Sequence, residues 1–230
     1  MTFGSVFGRV FSPTFQPKSQ AAGGGWWDLN GTITSCVAAY QPKGAASYAA
    51  SKVNLANPGT YNAVDGTAPD WDAVNGWKFD GVDDWLDTDA VVTDRYGALI
   101  VRFSGATTQN NDAGITCYFS STRRGNFGIM PNTQYGVRYY QLSSPCNKSP
   151  SAASGVLAIS DFHGYRDGVE DGSWSPNFAT GETNVPLNIG RTNSFRGTVY
   201  CLVNVQAWVL YSSPITPAQV SALTTAMNAL

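Results

Sequence analysis

Charged residues are scarce in this chain of 230 residues, and their scarcity excludes several kinds of protein. Only 13% of the residues are charged, and the formal net charge is −2. Disordered chains combine low hydrophobicity with high charge, and coiled coils carry charged helical repeats, so both classes are excluded. Basic runs are also missing, and the sequence therefore predicts no nucleic-acid partner held through phosphate contacts.

Histidine and closely spaced cysteines are nearly absent, which argues against a metal site. The chain has one histidine, His163, and none of its cysteines form a CxxC pair, so a zinc site is excluded. The cysteines allow either two disulfides or buried free thiols, and we leave the pairing open: they are Cys36, Cys117, Cys146 and Cys201.

Long apolar runs are missing too, and the sequence predicts no membrane insertion. The first twenty residues lack a basic segment followed by a continuous apolar one, which predicts that there is no secretory signal peptide. From these absences we expect a protein that acts where it is made or leaves the cell inside an assembly.

Aromatic residues, glycine and proline are abundant, and they indicate β-structure joined by turns. Aromatics make up 13% of the chain, beside 24 glycines and 12 prolines. Turn signals recur about every 8 to 14 residues, a spacing typical of a sandwich or jelly roll. The strands predicted from this pattern are 33–40, 77–80, 85–88, 98–104, 115–121, 127–130, 137–142, 156–162, 187–189 and 198–211.

A C-terminal helix is predicted from Thr216 onward. Thr216 suits the N-cap, Pro217 suits the first helical position, and an apolar stripe at spacings of 3 and 4 follows. Its other face is uncharged, so we expect it to pack on the edge of the sandwich. A shorter helix is predicted over 45–52.

The first 25 residues are predicted to be a docking arm, ahead of a single domain over 26–230. Four phenylalanines stand four residues apart, but neighbouring glycines and prolines oppose a helix. An extended segment with aromatic anchors, closed by a glycine-rich hinge at 21–25, fits better. We expect it to bind another copy of the chain or another protein through Phe3, Phe7, Phe11 and Phe15.

Several segments, in order, resemble the laminin-G-like branch of the concanavalin A-like lectin/glucanase superfamily. They are FDGVDDWL at 79–86, YRDGV at 165–169 and PLNIGR at 186–191, followed by the helix start at 215–220. The resemblance covers roughly 77–230 and implies a two-sheet antiparallel jelly roll with a short C-terminal helix. The arm, with FGRVFSPTF at 7–15, resembles leaders on virion-associated proteins of bacterial viruses.

The superfamily's enzymes hydrolyse glycosides with two carboxylates about 5 to 10 Å apart. Its glucanases carry them as Glu-x-Asp-x-x-Glu, whereas the only glutamates here, Glu170 and Glu182, stand outside any such pattern. We therefore predict that the protein is not an enzyme, with a divergent glycosidase as an alternative. No cofactor is predicted.

Calcium is common in the superfamily, and the resemblance leaves it open here. Two acidic groups offer carboxylate oxygens of the kind that calcium prefers, although neither has EF-hand spacing. They are Asp80, Asp83, Asp84, Asp87 and Asp89 in one group and Asp167, Glu170 and Asp171 in the other.

Carbohydrate binding requires aromatic side chains on loops with polar groups beside them. The segment 167–177 is the best candidate, because Trp174 stands among turn-forming residues; the alternative is that Trp174 packs its own loop. The predicted sugar-binding residues are Trp174, Tyr165, Asp171, Asn177 and Trp71.

Together these features predict a structural or adhesive protein on a virion or extracellular surface. The arm would attach it to itself or to other virion proteins, and the sandwich would present loops to surface glycans. Scarce charge suits close packing of identical copies, because self-repulsion is small. The alternative is a soluble lectin that does not assemble.

Overall fold

Residues 24–92, 97–107, 114–119, 126–133, 135–141, 146–175, 185–194 and 198–230 are described by the structure, a computed structural model. Within these ranges the chain forms two α-helices, α1 (Tyr48–Ser51) and α2 (Pro217–Asn228), and a 3-10 turn, Trp26–Asp28. The described strands are β1 (Cys36–Tyr40), β2 (Val64–Thr67), β3 (Asp70–Asp72), β4 (Gly76–Asp80), β5 (Trp85–Val92), β6 (Ala98–Ser104), β7 (Thr116–Phe119), β8 (Phe127–Thr133), β9 (Gly136–Gln141), β10 (Cys146–Lys148), β11 (Gly155–Ser160), β12 (His163–Arg166), β13 (Val169–Ser173), β14 (Val185–Ile189), β15 (Arg191–Ser194), β16 (Val199–Tyr200) and β17 (Leu202–Tyr211).

Three sheets contain these strands. The first sheet has the order β13-β12-β11-β6-β17-β4-β3, and β1 also pairs with β17. The second sheet has the order β10-β9-β8-β7-β15-β16, and the third has the order β14-β5-β2. Pairing is antiparallel in the first and third sheets, and the second contains the parallel pair β7–β15.

The long strand β17 lies in the middle of the first sheet, and its second half, from Ala207 to Tyr211, is buried on both faces. Trp208 and Leu210 point into the main core, together with residues of the second and third sheets such as Ile129 and Leu86. On the opposite face, Ala207, Val209 and Tyr211 belong to a separate cluster. The first sheet therefore faces the other two sheets across one core.

Helix α2 begins as predicted, with a capping box at its first turn. The Thr216 hydroxyl accepts a hydrogen bond from the Gln219 amide at 3.2 Å, and Gln219 Oε1 accepts one from the Thr216 amide at 2.8 Å. Val220 and Leu223 are fully buried against the first sheet. The helix thus covers the outer face of that sheet, rather than its edge. None of the described helices is long and apolar enough to cross a membrane.

The prediction of an all-β chain with a short C-terminal helix is confirmed at this level. Predicted bounds shift by a few residues, and β17 is separated from β16 at Cys201. The sequence missed short polar strands, among them β2, β10 and β13. These strands form because neighbouring strands supply the hydrogen bonds, which the local sequence pattern does not reveal.

All four cysteines are free thiols, which answers the question that the sequence left open. Burial raises the pKa of Cys201 to about 12, and burial followed by the charge of Asp28 does the same for Cys36.

Because the thiolate is the reactive form, we expect native protein at about pH 8 to leave both thiols unalkylated by iodoacetamide. After unfolding without reductant, iodoacetamide should label all four cysteines, as counted by mass spectrometry. Fewer labels would reveal a disulfide.

Candidate functional site

An aromatic and polar cluster lies on the outer side of the third sheet, facing away from the main core. In β5, Leu86, Thr88 and Ala90 are fully buried. Because side chains alternate along a strand, Trp85 and Asp87 point to the other side. Asn188 of β14 stands directly opposite Asp87 in the register.

Arg191 completes this cluster from the start of β15. Its guanidinium lies over the Trp85 ring, 3.1 Å from the ring centroid. When the Asn188 amide is oriented with its oxygen toward the arginine, Nε and Nη2 of Arg191 donate to it at 3.3 and 3.2 Å. Tyr200 is the cross-strand partner of Arg191 and hydrogen-bonds its side chain. We call the set Trp85, Asp87, Asn188, Arg191 and Tyr200 the Arg191 cluster.

Gly66 of β2 explains how the indole of Trp85 is held. A Cβ at this glycine would stand 1.8 Å from Cε2 of Trp85 and 2.3 Å from both Cζ2 and Nε1. This point overlaps the indole, so the glycine backbone lies in direct contact with the ring. Only glycine permits this approach. The indole thus packs against Gly66 and carries the guanidinium of Arg191.

The electrostatics of the Arg191 cluster are dominated by partial burial of the cation. Desolvation lowers the pKa of the Arg191 guanidinium, and nearby Tyr200 and Asp87 oppose that shift. The arginine remains charged at neutral pH because its ordinary pKa is so high. Stacking on an indole stabilises such a cation by about 0.5 to 2 kcal/mol.

The predicted sugar-binding residue Trp174 instead serves the core. Its ring stacks on Tyr139 with centroids 6.5 Å apart and meets Phe162 edge-on at 6.4 Å. Its Nε1 donates to the carbonyl of Gln141 at 3.2 Å. Trp174 therefore packs against β9 and Phe162, outside its own loop.

The other predicted sugar-binding residues are also engaged or lie outside the described part. Tyr165 is only 3% exposed, in the cluster beneath α2. Asp171 accepts hydrogen bonds from Tyr139 and Arg166 at 3.0 and 3.1 Å, and Trp71 packs on the core and donates to the Pro42 carbonyl at 2.9 Å. Outside the described residues are Asn177 and the arm residues Phe3, Phe7, Phe11 and Phe15.

Among the described residues, one acidic group comes together closely enough to hold a metal ion. Carboxylate oxygens of Asp80, Asp83 and Asp84 lie within 4.8 Å of one another. Their hydrogen bonds are those of a tight turn: Asp80 Oδ1 accepts from the amides of Val82 and Asp83, and Asp84 Oδ2 accepts from that of Asp80. Burial raises the pKa of Asp84, while backbone donors lower that of Asp80.

Most of the remaining acidic residues considered for calcium have partners of their own. Asp87 lies in the Arg191 cluster, and its Oδ1 accepts from the Asp89 amide at 2.9 Å. Asp167 Oδ1 accepts from the Val156 amide at 2.9 Å, and Glu170 Oε1 stands 3.0 Å from His163 Nδ1. Asp171 is paired with Arg166.

Trp85 and Arg191 were missed as site residues although both lie in segments that carry the family resemblance. Trp85 belongs to the FDGVDDWL segment and Arg191 ends PLNIGR, and the resemblance of these segments implies a fold rather than a site. A tryptophan at an outward position of a predicted strand was the one available signal. Its arginine partner could not be identified from spacing, because β5 and β15 are far apart in the chain.

Solved structures with a similar fold include domains of glycoside-processing enzymes. A Trypanosoma rangeli sialidase mutant with trans-sialidase activity superposes with a TM-score of 0.58 at 18% identity, over 84% of this chain and 33% of that one. The same sialidase in complex with 2,3-difluorosialic acid gives 0.56 at 17%, over the same shares. Domain 4 of AbnA, a GH43 extracellular arabinanase from Geobacillus stearothermophilus in complex with arabinotriose, gives 0.55 at 16%, over 83% and 98%.

At these identities the likeness concerns the fold, and the chain spans about a third of the sialidase chains. No protein-family model matches the sequence, and no curated protein matches it.

The prediction that this protein is not an enzyme is wrong. Solved structures that share its fold include those of a sialidase and an arabinanase, and both of these are enzymes. The missing Glu-x-Asp-x-x-Glu pattern excludes only the glucanase arrangement of the two carboxylates that hydrolyse glycosides. It does not exclude a role in glycoside processing for this sheet-rich fold.

Proposed function

We propose that this protein is a carbohydrate-binding domain that takes part in glycoside processing, built as a laminin-G-like, concanavalin A-like jelly roll. The observation that carries the proposal is the likeness to the arabinanase domain, which extends over 98% of that domain. The structure of that domain was determined in complex with arabinotriose. Such coverage concerns a whole domain rather than a fragment.

We place the sugar contacts at the Arg191 cluster. Oligosaccharides are recognised by a few well-placed polar groups set beside aromatic side chains. The cluster offers a guanidinium as donor and the carboxylate of Asp87 as acceptor, held on a rigid sheet. By contrast, the polar group predicted at the β12–β13 hairpin, Asp171, is already bonded to Tyr139 and Arg166.

The experiment is isothermal titration of the full chain with a panel of neutral and acidic oligosaccharides, comparing wild type with Arg191→Gln. Hydrogen bonds to a charged group contribute about 1.5 to 3 kcal/mol, so the variant should lose about 10- to 100-fold in affinity for the glycan that binds.

Arg166→Gln is the matched control, since it removes an arginine from the opposite sheet, where it pairs with Asp171. It should leave affinity unchanged. If no glycan binds, the proposed function fails; if Arg166→Gln abolishes binding and Arg191→Gln does not, the placement of the site fails. Display on a virion through the N-terminal arm stays a prediction of the sequence.

A further inference from the structure

Arg191 is a partly buried cation whose stacking and hydrogen-bonding partners among the described residues are neutral. They are the Trp85 ring, the Asn188 amide oxygen and the Tyr200 hydroxyl. Across the described ranges no carboxylate forms an ion pair with it within 4.0 Å, whereas Arg166 has Asp171 at 3.1 Å. From this geometry we infer that the Arg191 cluster binds a sugar that carries a carboxylate, an inference that rests on the proposed function.

The first argument is the cost of desolvating a charge. A cation removed from water without an opposite charge is unfavourable, and the protein retains it only when other interactions compensate. Stacking on Trp85 and the bonds to Asn188 provide part of this compensation. An anionic ligand would provide the rest, because it neutralises the guanidinium in the same environment.

The second argument is that the guanidinium already stacks on the indole. The Arg191 guanidinium lies over the Trp85 ring and Gly66 packs against that ring, so a sugar ring that stacked there would compete with both. Because Nε and one N–H of Nη2 donate to Asn188, the recognition group for a ligand is the outer edge of the guanidinium, formed by Nη1 and the second N–H of Nη2. Its planar pair of N–H donors matches the two oxygens of a carboxylate, a geometry that a single hydroxyl does not satisfy.

Replacing Asp87 should have opposite effects on the binding of acidic and neutral sugars. It lies close enough to Arg191 to influence the pKa of the guanidinium, yet it makes no ion pair with it. A bound carboxylate would be repelled by Asp87, whereas the hydroxyls of a neutral sugar would be accepted by it. Asp87→Asn should therefore tighten binding of an acidic sugar and weaken binding of a neutral one.

The test is titration of the full chain with four probes: sialyllactose, trigalacturonic acid, lactose and arabinotriose. The first two carry carboxylates of different sugar types, so they also separate a sialic acid from a uronic acid. Sialyllactose is compared with lactose, and trigalacturonic acid with arabinotriose. We expect at least one acidic probe to bind about tenfold or more tightly than the neutral probe it is compared with, since charge-assisted bidentate bonds are about twice as strong as neutral ones. Raising the salt concentration should reduce the difference.

Arg191→Gln should abolish the preference for the acidic probe, and Arg166→Gln should preserve it. Arg191→Lys retains the charge without the fork and should lose most of the preference, which also provides a variant if the glutamine substitution fails to fold. Equal affinity for acidic and neutral probes would overturn the inference and leave the proposed function standing. Weaker binding of the acidic probe by Asp87→Asn would overturn it as well. Binding of no probe at all would overturn both.

Discussion

Replacing Trp208 with alanine should lower the free energy of unfolding by about 4 kcal/mol, within the range of about 3 to 5 kcal/mol that large-to-small aromatic substitutions cost in cores. Trp208 is fully buried in the main core, where its ring lies 5.5 Å from that of Tyr40. Its Nε1 donates to Thr116 Oγ1 at 2.9 Å, which ties the first sheet to the second. The loss should appear as a lower urea midpoint in chemical denaturation.

A second variant, Thr116→Val, isolates the bond between the sheets from the packing. It conserves side-chain volume but leaves the indole N–H without this acceptor, and we expect a loss of about 1 to 3 kcal/mol. Trp71→Ala is the control for removing a tryptophan that is only partly buried, and it should cost less than Trp208→Ala. If the two tryptophan variants lose equal stability, the central role given to Trp208 is wrong.

Replacing Gly190 with alanine should destabilise the protein by about 3 kcal/mol, because two costs combine at this position. Its φ of +89° is unfavourable for any residue with a Cβ. The new Cβ would also stand 2.2 Å from Cδ1 of Phe79, a core side chain that is 2% exposed. Since Gly190 directly precedes Arg191, the same change should weaken glycan binding.

Gly59→Ala is a matched control for backbone strain. Gly59 has a φ of +93°, and a Cβ there would meet nothing within 4 Å. Its substitution should cost only about 1 to 2 kcal/mol, the penalty for a left-handed residue. The difference between the two variants measures the overlap with Phe79. Equal losses would show that the core tolerates the added methyl group.

Local signals predicted some elements well, and the reason is that their determinants lie within a few residues of one another. The capping box of α2 and its apolar stripe occupy one continuous segment. Likewise, Asp167 and Gly168 of the YRDGV segment join β12 to β13 in a hairpin, with φ angles of +49° and +81°. Both positions need positive φ, which is why this residue pair is favoured there.

The site could not be predicted in the same way. Trp174 and Tyr165 stand among turn residues in the sequence, but distant segments cover them: Tyr139 stacks on Trp174, and α2 lies over the cluster that contains Tyr165. Arg191 and Trp85 show the converse, since each is unremarkable in its own segment and becomes part of a cluster only when β15 is brought beside β5.

By itself, the sequence determined an all-β chain with a capped C-terminal helix, because hydrophobic alternation, turn residues and capping residues act over short distances. Tertiary structure alone decided which aromatics are buried, which sheet face α2 covers, and that no carboxylate of the described residues forms an ion pair with Arg191. These properties depend on contacts between residues remote in the chain, where burial and charge are set jointly by several strands. The scarcity of charge seen at the outset is for that reason most informative at Arg191, a cation that the described fold partly buries and does not neutralise.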